Sequence, residues 1–193
     1  MKISNITKRI SFNSPAILGF TILCLITLIL DWITKGTTNH LFFSVYRSSL
    51  LDPLTYIRFI GHALGHANFS HFIGNFMMIL VVGPLLEEKY GTVDIICIII
   101  TTALITGLAN FILFPNVAVL GASGVVFALI LLSSFTSFKE GTIPLTFILV
   151  AILYIGDNIY SAIFIKDNVS NFSHVLGGIV GAYLGYNIKP KNR

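Results

Sequence analysis

The chain reads as an all-α polytopic membrane protein, a bundle of six transmembrane helices with both termini in the cytoplasm. Three observations lead to that fold class. Hydrophobic residues fill 55% of the 193 positions and charged residues only 10%, with a mean hydropathy of +0.88, which leaves too little polar surface for a water-soluble domain. Apolar stretches recur six times, most of them close to the roughly 20 residues that cross a bilayer. Lys and Arg divide unevenly between alternate connections, which sets the direction of the first helix.

The six stretches cover residues 16–30, 69–86, 95–114, 122–138, 143–165 and 171–188. With the helices alternating in direction, one side holds Lys2, Lys8, Arg9, Lys89, Lys139, Lys189, Lys191 and Arg193, and the other holds Lys35, Arg47, Arg58 and Lys166. Eight cations against four put the termini inside. Residues 1–15 are then a short basic tail, 16–188 one membrane domain, and 189–193 a second basic tail. The first stretch resembles the apolar region of a signal peptide, but no small-x-small cleavage site follows Leu30, and Asp31-Trp32 reads as an interfacial helix end. The net charge of +4 belongs to topology and contact with membrane lipids, since no basic run with interleaved aromatics suggests nucleic acid. Cys24 and Cys97 both fall in apolar helices and suggest no disulfide framework.

The longest polar interval, about 34–68, joins the first two helices. Its aromatics, its arginines and Pro53 suit a partly helical element at the outer membrane surface. Between Asp94 and Lys139 stand 44 residues without a formal charge, enough for the third helix, a turn at Pro115-Asn116 and a short fourth helix. Seventeen residues reach roughly 26 Å, short of the roughly 30 Å hydrocarbon core. The fourth helix therefore starts below the outer surface, with Ser123 on the floor of a depression.

Under this topology the second, fourth and sixth helices run the same way, so their first turns share one depth. Those turns carry His71 and Asn75, then Ser123, then Asn171 and His174. Polar groups at membrane depth are costly without partners, which makes such a layer a candidate functional site. Small residues explain how two of the helices meet. Gly177, Gly181 and Gly185 repeat every four residues in the last helix, Gly124 and Ala128 do so in the fourth, and stripes of this kind let backbones approach closely. Packed together, they bring the His174 imidazole against the Ser123 hydroxyl. A serine with a base in reach is the minimum for acyl transfer, and the Ser123 backbone N–H, His71 and Asn75 are donors for the oxyanion. Taken singly, each piece has a plainer explanation: a tight turn, a helix-joining hydrogen bond, a packing glycine. Their common depth favours the functional reading.

These residues resemble the rhomboid family of intramembrane serine proteases over essentially the whole chain. His62-Ala-Leu-Gly-His66-Ala-Asn-Phe-Ser-His71-Phe-Ile-Gly-Asn75 is similar to the family's histidine-rich entry to the second helix. Glu87-Glu-Lys-Tyr-Gly91, Gly121-Ala-Ser123-Gly124 and His174-Val-Leu-Gly177-Gly-Ile-Val-Gly181 are similar to its later signatures. The resemblance implies the basic six-helix form, a dyad of Ser123 and His174, and an oxyanion site of His71, Asn75 and the Ser123 backbone. It implies transmembrane protein substrates that enter from the lipid, with no cofactor and no metal.

Two positions depart from the family pattern. Phe127 stands where the family often has a Tyr stacked beneath the catalytic imidazole, and Ile57-Arg58 where it commonly has Trp-Arg. His62 and His66 raise the question of a metal site with His71, but no carboxylate accompanies them at ligand spacing. Their expected work, with Arg58, is to fasten the outer loop. Asp157 and Asn158 suit a structural or gate role in the fifth helix. Two rival readings are a catalytically silent rhomboid-like protein that binds membrane clients, and a channel or histidine-lined transporter, for which the helix centres lack the paired charges a pathway needs. The small size and the lack of an organelle-targeting signal suggest a prokaryotic plasma membrane.

Overall fold

The computed structural model describes residues 12–135, 145, 148–149, 152–153, 156, 168–189 and 191. The expected fifth helix, with Asp157 and Asn158, lies almost wholly outside the described residues, as does most of the basic N-terminal tail. Among the described residues the architecture is entirely helical. In chain order the helices are α1 (Pro15–Ile33), α2 (Thr37–Phe42), α3 (Pro53–Gly61), α4 (Phe69–Tyr90), α5 (Thr92–Leu113), α6 (Ser123–Phe135) and α7 (Asn168–Asn187). Of these, α1, α4 and α5 are long and apolar enough to cross a membrane, and α6 is a shorter apolar helix.

A carboxylate fixes how the first spans pack. The backbone N–H groups of Ala16 and Ile17 donate to the two oxygens of Glu87 at 2.9 and 3.0 Å, and Glu87 is buried. The opening N–H groups of any helix lack partners within it and carry the positive end of its dipole, so an anion borrowed from α4 satisfies both needs of α1. The start of α1 therefore meets the end of α4, and the two run antiparallel. Gly91, at φ +91, turns the chain into α5, and the Thr92 hydroxyl donates to the same Glu87 at 2.8 Å. The Lys191 N–H donates to the Lys89 carbonyl, so residues 15 and 191 lie at this one end of the bundle.

The opposite end is closed by residues 34–68, which contain α2 and α3. Asp52 caps α3 by accepting from the Leu54 N–H at 3.0 Å and pairs with the buried Arg58 at 3.2 Å. Arg58 also donates to the Leu41 carbonyl at 2.8 Å and lies over the Tyr46 ring, 4.7 Å from its centroid. Charge-assisted bonds of this kind hold the segment together with its buried Val45, Phe59 and Ala63. Phe59 meets Phe111 of α5 edge to face at 5.2 Å, and Gly107 leaves room for the α3 backbone against α5. Val45 and Val119 exchange two backbone bonds of 2.9 Å, tying the loop to the turn before α6.

The elements differ from the sequence expectation mainly at their ends. The last helix starts at Asn168 instead of 171, so His174 stands in its second turn and does not open it. The expected span leaves Asn168-Val169-Ser170 in the connection, yet no Gly or Pro there stops a helix from gaining a turn. At the other end of the hydropathy scale, α4 runs on through Glu87-Glu88-Lys89 to Tyr90, because Glu87 and Tyr90 are buried against neighbours instead of facing solvent.

Candidate active site

Two glycines set the distance between α6 and α7. A Cβ on Gly177 would run into the main chain of Gly124, and one on Gly181 into the main chain of Ala128. The offset is 53 residues at both contacts, so the helices run parallel and side by side in one register. Main-chain contact at this range is open only to glycine on one partner. Phe127 lies one turn after Ser123 on the same face of α6, and the His174 ring packs against it, tilted, with centroids 4.6 Å apart and an interplanar angle of 39°. The imidazole and the Ser123 side chain thus share one face at the start of the α6–α7 seam. Ser123 is half-buried, as is His174.

The turn into α6 is pinned from two sides. The Gly121 N–H donates to the His62 carbonyl at 2.9 Å, and Gly121 has φ +132, which a side chain would strain. A Cβ there would also come within 2.8 Å of the His71 imidazole, with the Asn75 amide nitrogen at 4.0 Å. His71 and Asn75, four residues apart on α4, therefore sit against the turn two residues before Ser123. The helix start leaves the Ser123 N–H without an intrahelical acceptor. Ser123, Gly124, His62, Thr106 and Ser173 line a common cavity of about 10 Å³ behind the seam.

The supporting histidines divide their work. His62 is buried, and its Nε2 lies 2.9 Å from the Ala103 carbonyl, which fixes the proton on that nitrogen. Burial holds its pKa below the usual histidine value. His66 is also fully buried, with Nδ1 3.2 Å from the Leu64 carbonyl and Nε2 3.1 Å from the Asn75 amide nitrogen. The pattern requires a neutral ring that donates through Nδ1 and accepts through Nε2. Burial first, and the neighbouring His71 second, push the His66 pKa down to about 4, which keeps it in that form. Its ring also packs on His71, Phe72 and Phe76 with centroids 5.1–5.7 Å apart.

Sequence reasoning assigns His66 to the loop alone and misses its bond to Asn75. The nine-residue separation crosses the loop-to-helix junction, so neither helical nor strand periodicity announces it. Thr106 and Ser173 are missed for a similar reason: a hydroxyl in an apolar helix usually bonds its own backbone, as Thr106 does to Thr102 at 2.8 Å.

With this geometry in view, comparison with known proteins becomes specific. The rhomboid domain family model matches residues 53–191. The chain is 31% identical over 179 residues to rhomboid-related protein 2 of Mus musculus, an alignment covering 82% of this chain and 56% of that protein. It is 29% identical to rhomboid-related protein 1 of Caenorhabditis elegans, over 67% of this chain and 39% of that protein. It is 26% identical to the rhomboid protease GlpG of Haemophilus influenzae, over 67% of this chain and 68% of that one. The chain belongs to the rhomboid family of integral membrane proteins. It spans about half the length, or less, of the two animal relatives. Relatives in a mammal, a nematode and a bacterium give no support to a specifically prokaryotic origin.

Proposed function

We propose that the protein is an intramembrane serine endopeptidase in which Ser123 is the nucleophile and His174 the general base. The observation that carries this reading is the α6–α7 register: main-chain contact at Gly177 and Gly181 seats the His174 ring on Phe127, one turn from Ser123. Membership of a family that includes a named protease supports it.

In the proposed reaction Ser123 Oγ attacks the scissile carbonyl while His174 takes the hydroxyl proton. The oxyanion forms beside the Ser123 N–H, His71 and Asn75. Collapse breaks the C–N bond, and His174 returns the proton to the leaving amine. Water then attacks the acyl-enzyme with His174 again as base, releasing the acid and Ser123. Phe127 supplies an apolar face for the imidazole in both protonation states. The dyad needs neither metal nor cofactor. The substrates are membrane-spanning proteins that reach the site laterally from lipid, cut in or beside a span that unwinds readily, since an intact helix shields its carbonyls.

The wider topology is part of the same proposal: six spans, with residues 15 and 191 on the cytoplasmic side of a cell membrane, as the distribution of Lys and Arg supports. The test is cleavage of a single-pass membrane reporter in liposomes by wild type, Ser123→Ala and His174→Ala. Wild type alone is expected to cut. Intact reporter throughout, over several reporters with helix-destabilising spans, would replace the protease reading with a silent client-binding one.

A further inference from the structure

Away from the α6–α7 seam, the C-terminal end of α1 and the turn entering α4 enclose a groove of about 890 Å³. Leu25, Leu28, Ile29 and Phe69 form its walls. All four belong to helices long and apolar enough to cross a membrane, and Leu25, Ile29 and Phe69 are exposed. The rim differs sharply in character. It carries Asp31, Trp32, Lys35 and Asn68, at the helix end where the polar part of a bilayer begins.

Two rim features point to an ionic ligand. Lys35 has φ +50, a left-handed conformation that glycine takes up freely and a lysine does not, immediately before Gly36 at φ +90. The position suits the backbone of a helix end better with Gly than with Lys. Its ammonium is exposed and has no anionic partner among the described residues. Beside it, one Asp31 oxygen accepts the Asn39 N–H at 2.8 Å, while the other is without a partner among those residues. A cation and a half-used carboxylate at the mouth of an apolar groove match a phosphate and an ammonium above acyl chains.

We propose that this groove binds one zwitterionic phospholipid, with its phosphate at Lys35, its ammonium toward Asp31 and its chains along Leu25, Leu28, Ile29 and Phe69. The volume lies inside the range of ligand pockets, roughly 300–1,000 Å³. A helix of another protein, about 10–12 Å across, presents no anion for Lys35 by virtue of being apolar.

The chain carries its own reporter, because Trp32 is its single tryptophan, stands at the rim and is 82% exposed. The full chain purified in detergent is titrated with phosphatidylethanolamine brominated on its acyl chains, and Trp32 fluorescence is followed. Quenching should saturate at about one lipid per chain. Lys35→Glu and Lys35→Gly should each raise the half-saturating concentration about tenfold or more, and brominated diacylglycerol, which lacks the phosphate, should behave like the variants. The glycine variant suits the backbone, so a loss of lipid there separates the ammonium's role from folding. Quenching that rises without saturation, equals that of diacylglycerol, or ignores both substitutions overturns the proposal. So does a groove that takes no lipid and is closed instead by a second copy of the chain in solution.

Discussion

At the scale of single residues, the proposed site depends on hydrogen bonds that orient donors before any substrate arrives. In the proposed oxyanion site Asn75 is oriented by its bond to His66, and His66 can accept that bond only while neutral. His66→Ala should therefore lower reporter cleavage by about 10²-fold, close to the effect of removing an oxyanion donor outright. His66→Gln, which keeps an acceptor near the same place, should recover part of it, with the change in kcat more than in KM. Equal loss in both variants would reduce His66 to a packing residue. The sequence displays Ser123, His174, His71 and Asn75 because each opens or nearly opens an apolar stretch, where a polar side chain stands out. It does not display the His66–Asn75 bond, which exists only once the loop has folded onto α4.

Among the elements, the α6–α7 pair carries the geometry. Glycine at 181 lets two main chains touch, and no side chain can be added there without moving a helix. Gly181→Val should cost about 1–3 kcal/mol by overpacking and lower the thermal midpoint in detergent. Cleavage should fall further than stability alone explains, because in the proposed mechanism the seam also aligns His174 with Ser123. A variant with native midpoint and native activity would contradict the close-contact argument. The stripes of small residues make this pairing legible in advance, through the four-residue spacing of Gly177, Gly181 and Gly185. The start of α7 is not legible in the same way, because polar residues without Gly or Pro can extend a helix that hydropathy ends. Glu87, one residue past the apolar run that ends at 86, suits a role in holding the inner ends of the helices together, and its buried carboxylate caps α1.

For the whole molecule, the loop end and the spans are coupled through buried neutral histidines, and this gives a pH signature. His66 titrates near 4 in the folded chain against about 6.5 unfolded, so between those values the unfolded state binds a proton that the native state refuses. Stability is fully present above about pH 6.5 and declines as pH falls toward 4, by about 3 kcal/mol from this residue at about 1.4 kcal/mol per pKa unit. His62, shifted the same way, adds to the decline. Denaturation midpoints in detergent from pH 7.5 to 4.5 should fall accordingly and flatten in part in His66→Gln; a flat wild-type profile would show that neither histidine is held neutral. The bundle as a class is legible from hydropathy, since spans must be apolar, whereas the partners that Arg58, His62 and Asn110 find in the Leu41, Ala103 and Val45 carbonyls are long-range contacts that no local pattern encodes. The central claim is that His174 activates Ser123, and the most direct measurement is covalent labelling by a fluorophosphonate, with the modified residue located by mass spectrometry. The account predicts one adduct, on Ser123, whose rate of formation drops by at least about 10³-fold in His174→Ala; a label elsewhere, or one on Ser123 that forms equally fast without His174, would contradict it.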